Sequence, residues 1–145
     1  MIEVVWPNTA MSATRNRTEE IEQARLVKWS HKVAVRKVIP DLQWLHHSPN
    51  GGKRDAFTGA QMKALGTKAG FPDLVLPTVD PRGHYSGLVI EMKADKGRVS
   101  DEQKGWLEMF KSHCWHTAVC YSAEEAHKVI CEYFDVDPAS LPLEP

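Results

Sequence analysis

The sequence predicts an α/β domain, a central mixed β-sheet flanked by helices. Two short apolar runs, Asp73–Val79 and about Tyr85–Lys93, follow one another across the turn Asp80-Pro81-Arg82-Gly83. Helical patterns stand before and after them, so strands this apolar need cover on both faces. A third apolar run, His116–Tyr121, lies between two segments that open with helix-capping signals.

Residues 1–14 show no period beyond a short strand expected at Ile2–Trp6. From about Thr18 to Val38 the pattern is one helix: Thr18 can cap it, acids fill its first turn, and Leu26, Trp29 and Val33 recur at helical spacing. Pro40 ends it. Leu42–His47 reads as a short strand, and Ser48-Pro49-Asn50-Gly51-Gly52 as a turn. Phe57–Lys68 is a short helix weakened by Gly59 and Gly66. After the two central strands comes a polar loop over 94–99.

Ser100 then opens a helix with Asp101, Glu102 and Gln103 in capping-box order, and Trp106, Leu107 and Phe110 give it an apolar face. Ser122 with Glu125 repeats the box before a last helix, whose Ala126, Val129, Ile130 and Tyr133 point inward. The tail from Asp135 is acidic and Pro-rich. The order is α-β-(α)-β-β-α-β-α, with an α-β-β-β-α-β core. It forms a single domain over 1–145, its core about 18–134.

A chain of 145 residues with 42% hydrophobic and 26% charged residues can bury a proper core. It holds no apolar run long enough to span a membrane, and its N-terminus lacks a signal-peptide pattern. Three cysteines without a C-x-x-C pair suit a reducing cytoplasm. The net charge of −1 argues against a nonspecific DNA coat. Its distribution is uneven: residues 1–70 carry +5 and residues 71–145 carry −6. That split is compatible with binding a polyanion at one localised surface.

The chemistry concentrates on the two central strands. Side chains at i and i+2 share a face, so Glu91 and Lys93 project together while Leu88, Ile90 and Met92 point into the core. If the strands pair, Asp73 comes close to Glu91. Two carboxylates, aided by the Met92 backbone carbonyl, suit Mg²⁺, which prefers hard oxygen ligands. Lys93 can orient the attacking water or stabilise the transition state. Singly, each acid has an ordinary explanation as turn chemistry or a surface ion pair. Together, beside buried strands, they need a purpose.

Weaker signals concern nucleic acid. Arg25, Lys28, Lys32 and Arg36 form a basic stripe at i, i+3, i+7 and i+11, either a solvated face or a phosphate contact. Asn50, Gly51 and Gly52, with Lys53 and Arg54, make either a tight turn or a phosphate cradle. Lys96 and Arg98 follow the lysine strand and can reach DNA or stand as plain surface charges. His113, Cys114, His116 and Cys120 match no common zinc spacing, and His46 and His47 only faintly suggest a His-Asn nuclease. Trp29, Trp44, Trp106 and Trp115 suit core or dimer-interface positions.

Pro72-Asp73 followed by Glu91-Met92-Lys93 resembles the PD-(D/E)xK nuclease signature. Five pieces in order resemble the virus-type replication-repair nuclease (VRR-NUC) branch: Glu19-x-x-x-Gln23, Pro49 through Arg54, Gly70-Phe71-Pro72-Asp73-Leu74, Glu91-Met92-Lys93 and Ser100-x-x-Gln103-x-x-Trp106. The resemblance implies a restriction-endonuclease-like core and a Mg²⁺- or Mn²⁺-dependent endonuclease. In stand-alone phage and bacterial members it implies a homodimer acting on branched DNA, in the manner of a Holliday-junction resolvase. It makes Asp73 and Glu91 metal ligands and Lys93 the catalytic lysine. Glu19 becomes the first-helix acid, with Glu20 as the alternative. Gln103 is either the family's glutamine or only the capping partner of Ser100. No membrane partner or small-molecule cofactor is expected. The competing readings are a non-cleaving DNA-binding module on the same fold and a sequence-specific restriction-type enzyme.

Overall fold

The structure, a computed structural model, describes residues 14–49 and 56–145. The expected strand at Ile2–Trp6 and the Asn50, Gly51, Gly52, Lys53 and Arg54 turn lie outside the described residues. One four-stranded sheet has the order β1-β2-β3-β4, with β1 His46–His47, β2 Leu74–Leu76, β3 Leu88–Met92 and β4 His116–Cys120. β1 with β2 and β2 with β3 run antiparallel, and β3 with β4 runs parallel. A parallel neighbour requires a crossover, and α4 (Asp101–Ser112) makes it. The other helices are α1 (Thr14–Ser30), α2 (Val33–Val38), α3 (Ala56–Ala64) and α5 (Ala123–Tyr133). This mixed sheet flanked by helices is the architecture the sequence predicts.

Local departures have local causes. The single helix expected over Thr18–Val38 starts earlier, at Thr14, and divides after Ser30. The Ser30 hydroxyl donates back to the Val27 carbonyl at 2.6 Å, and the Ser30 carbonyl accepts Arg36 Nε at 2.5 Å. A continuing helix would need that carbonyl for the backbone four residues on, so the side chains end α1. Leu42–His47 is not a strand throughout. Pro40–Trp44 winds as a 3-10 turn with proline in its first turn, and only His46–His47 pairs. Trp44 is 59% exposed, which leaves the dimer interface as the open one of the two positions expected for it. β2 stops before Pro77, which has no N–H to offer a ladder.

One core lies on one side of the sheet. Leu74, Leu76, Leu88, Ile90 and Met92 pack there with Leu26 and Trp29 of α1, Val35 of α2, and Ala126 and Ile130 of α5. The C-terminal tail closes this layer: Trp29 Nε1 donates to the Leu141 carbonyl at 2.9 Å, and His127 Nε2 bonds the same oxygen at 2.7 Å. At α5, Ser122 Oγ accepts the Glu125 N–H at 3.1 Å, whereas Glu125 accepts from the Tyr121 N–H rather than from Ser122. The second expected capping box is therefore half formed, its acid satisfying the donor one residue earlier.

Candidate functional site

The face of β3 turned from the core carries Val89 and Glu91, and Lys93 follows on the same side. The register pairs Leu74 with Ile90 and Val75 with Val89, which sets Asp73 across from Glu91 on that face. Directly opposed residues hold their Cβ atoms about 4.5–5.5 Å apart. The β2–β3 ladder ends at Leu74, and the Met92 N–H beyond it donates to Asp73 Oδ2 at 2.7 Å. The Lys93 N–H donates to the Cys120 carbonyl at 2.9 Å. Strand alternation then turns both the N–H and the carbonyl of Met92 toward Asp73.

Glu91 is only 3% exposed. Its Oε1 accepts Gln103 Nε2 at 2.8 Å and lies 3.9 Å from Lys93 Nζ. Its Oε2 is buried with no hydrogen-bond partner among the described residues. Burial first, then the negative charge of Asp73 and the hydrogen bond to Asp73 that a protonated Glu91 makes, push the Glu91 carboxyl up to about 9, with Lys93 opposing and Glu19 adding to the rise. At neutral pH Glu91 therefore keeps its proton unless a cation takes that place.

These groups fit a hard divalent cation. Two carboxylates face each other across adjacent strands, one with an orphaned buried oxygen, and the Met92 carbonyl lies on the same edge. Among the described residues no group of three or more His, Cys, Asp or Glu side chains converges on one metal position. The protein would thus supply few ligands, leaving the remainder to water and phosphate, as Mg²⁺ sites commonly do.

Because α1 starts at Thr14, no acid sits in its first turn and Glu19 falls further along it. Glu19 Oε1 accepts the N–H of Ala94, the residue after Lys93, at 2.9 Å. Glu20 is exposed, while Glu22 pairs with Arg25 at 2.9 Å. Gln103 completes the expected capping box and also reaches the site. Its backbone N–H donates to Ser100 Oγ at 3.2 Å and its Oε1 accepts the Ser100 N–H at 2.9 Å, completing the box. Its remaining amide donor reaches Glu91.

The same helix braces the approach to Asp73. Gly70 has φ +87°, and a Cβ there would lie 2.7 Å from the Glu102 backbone carbon, so α4 packs directly against this glycine. Trp106 Nε1 donates to the Ala69 carbonyl at 3.0 Å, and the Phe71 ring meets the Trp106 ring edge-on at 4.9 Å. On the other side the Asp73 carbonyl accepts the Ser48 N–H at 3.3 Å and bonds His47 Nδ1 at 2.7 Å. Sequence reasoning missed these supports. Trp106 one turn after Gln103 was the available signal; nothing local marks His47 or Ser48.

The basic stripe does not form one open face. Arg25 bonds Glu124 at 2.7 Å and Glu22, Lys32 pairs with Glu144 at 2.5 Å, and Arg36 holds Ser30. Lys28 is exposed. Lys96, with φ +65°, and Arg98 are exposed in the loop leaving Lys93. Cys120 is a core residue whose thiol burial pushes up to about 12.

The VRR-NUC domain family matches residues 4–124 of the chain. A solved structure named VRR_NUC domain protein is 30% identical, superposes with a TM-score of 0.66, and is covered over 89% of its length by 82% of this chain. None of the curated proteins matches. Fold and site together define a protein of the nuclease superfamily. Within that superfamily, the chain belongs to the VRR-NUC family. No described helix is long and apolar enough to cross a membrane.

Proposed function

We propose that this chain is a Mg²⁺- or Mn²⁺-dependent DNA endonuclease that acts as a homodimer on branched or otherwise structured DNA. The observation that carries this reading is the meeting of Asp73 and Glu91 across β2 and β3, beside Lys93, with one buried Glu91 oxygen unpartnered. Asp73, Glu91 and the Met92 carbonyl would hold the cation, which when bound neutralises charge at phosphorus and lowers the pKa of water. The chain's own groups supply the rest. Gln103 fixes Glu91 Oε1 and leaves Oε2 for the cation. Glu19 ties down the Ala94 N–H, and with it the strand end from which Lys93 projects.

Lys93 stands on the Glu91 face, where its ammonium can orient the attacking water and stabilise charge on the phosphoryl oxygens. Hydrolysis is by direct water attack, with no bond from a side chain to phosphorus. Lys96 and Arg98 are the nearest exposed cations in sequence and supply phosphate contacts. One active site per copy favours pairing two copies, so that two sites address two strands.

The test is a cleavage panel in Mg²⁺ with linear duplex, single strand, flap, splayed arm and four-way junction. Wild type should cut the branched substrates. Lys93→Ala and Asp73→Asn should cut none while still binding DNA in Ca²⁺. A wild type silent in both Mg²⁺ and Mn²⁺ would leave a non-cleaving binding module. A defined ladder on linear duplex would instead indicate a sequence-specific enzyme.

A further inference from the structure

A cavity of about 350 Å³ opens between the end of α3, the turn into β2, and α4. Ser48, Met62, Thr67, Lys68, Phe71 and Trp106 line it. Two of these place it against the site: the Ser48 N–H bonds the Asp73 carbonyl at 3.3 Å, and Phe71 precedes Asp73 by two residues. Its apolar wall contains an indole and a phenyl ring set edge to face, and among the described residues its polar lining holds hydroxyls and one ammonium with no carboxylate. A second cavity, about 530 Å³, sits at the opposite end of the sheet and is lined by Glu132, Asp135 and Asp137 with Arg82. Of these two cavities, the one beside the candidate catalytic carboxylates has no acid among its described lining residues. That charge pattern suits a polyanion here and repels it there.

We propose that this cavity receives one unpaired nucleobase next to the scissile phosphate, a proposal that rests on the nuclease reading above. Aromatic walls take bases of any identity by stacking, and a lysine at the rim meets the adjoining phosphate. A base inside a continuous duplex is stacked and paired, and reaches such a cavity only after extrusion. DNA that already carries an unpaired base at a branch, flap or fork enters without that cost. The subsite thus gives a physical origin for preferring structured DNA without reading sequence.

The test uses the full chain in Ca²⁺ and DNA carrying 2-aminopurine, either unpaired at a branch or paired within a continuous duplex. Binding should quench the unpaired probe and leave the paired probe unchanged. In Mg²⁺, Trp106→Leu should lower the ratio of kcat/KM for branched over linear DNA by roughly tenfold, as loss of one base stack predicts, and Trp106→Phe should restore much of it. A merely structural role for Trp106 would lower both substrates alike and leave the ratio standing. Thr67→Glu, at an exposed rim position, should lower the same ratio without disturbing the aromatic packing. Equal behaviour of paired and unpaired probes, or an unchanged ratio in a folded Thr67→Glu protein, overturns the subsite. Cutting without selective quenching removes the subsite and leaves the nuclease. Selective quenching without cutting in either metal does the reverse.

Discussion

Glu91 is the point where desolvation, Asp73 opposite it, Lys93 beside it and the charge of Glu19 act on one buried carboxyl. Its pKa when folded, about 9, stands above the ordinary value of 4.5. Between those values the folded state binds a proton that the unfolded chain has lost, so this group's contribution is complete at low pH and declines as pH rises toward 9. Without metal, the Tm should therefore fall over pH 5–9 more steeply for wild type than for Glu91→Gln. A cation that displaces the proton reverses the trend: Mg²⁺ or Mn²⁺ should raise the Tm more at pH 8 than at pH 5.5, and Glu91→Gln should lose most of that difference. Gln103 Nε2 donates to Glu91 Oε1, the carboxylate proposed to hold the cation. Outer hydrogen-bond partners of metal ligands typically contribute 10–100-fold, so Gln103→Ala should reduce kcat/KM by roughly that factor in a steady-state assay.

Among the elements, α4 holds both sides of the site. Gln103 fixes the β3 carboxylate, while Trp106 and the Gly70 contact fix the turn that delivers the β2 carboxylate. Gly70→Ala demands a left-handed backbone of a residue with a Cβ and drives that Cβ into the first turn of α4. Such strain is of the order of 1–3 kcal/mol, which a urea denaturation should show together with a loss of cleavage. Gly105, on the same helix with open space at its Cβ position, is the control: Gly105→Ala should be neutral or stabilising. The tail is held the same way on the core side. Removing residues 141–145 takes away the carbonyl shared by Trp29 and His127. A buried donor left unpaired costs about 1–3 kcal/mol, so the truncated chain should melt well below the full one.

For the whole molecule, charge is redistributed by folding rather than merely divided along the chain. Arg25 and Lys32 of the positive first half pair with Glu124 and Glu144 of the acidic second half. The loop that leaves Lys93 keeps Lys96 and Arg98 exposed. Val33, Val38 and Trp44 are large apolar residues left exposed on α2 and the 3-10 turn after it, a surface suited to a second copy. Sedimentation at micromolar concentration should give a dimer, and Trp44→Glu should shift it toward monomer. An unchanged mass would place the pairing surface elsewhere.

Strand periodicity was readable in advance because it is local. Alternation puts Glu91 and Lys93 on one face whatever surrounds them, and the Ser100–Gln103 box needs only neighbouring residues. The mixed sheet between helices followed from the same local patterns. Only tertiary structure could decide that Asp73 stands opposite Glu91, since register is a property of two strands and not of either one. It also decided that α1 ends at Ser30, through an arginine reaching back six residues, and that Lys32 of the basic stripe pairs with Glu144 of the tail. Hydrogen bonds and ion pairs between segments distant in sequence leave no periodic trace. They are fixed only when packing brings those segments together.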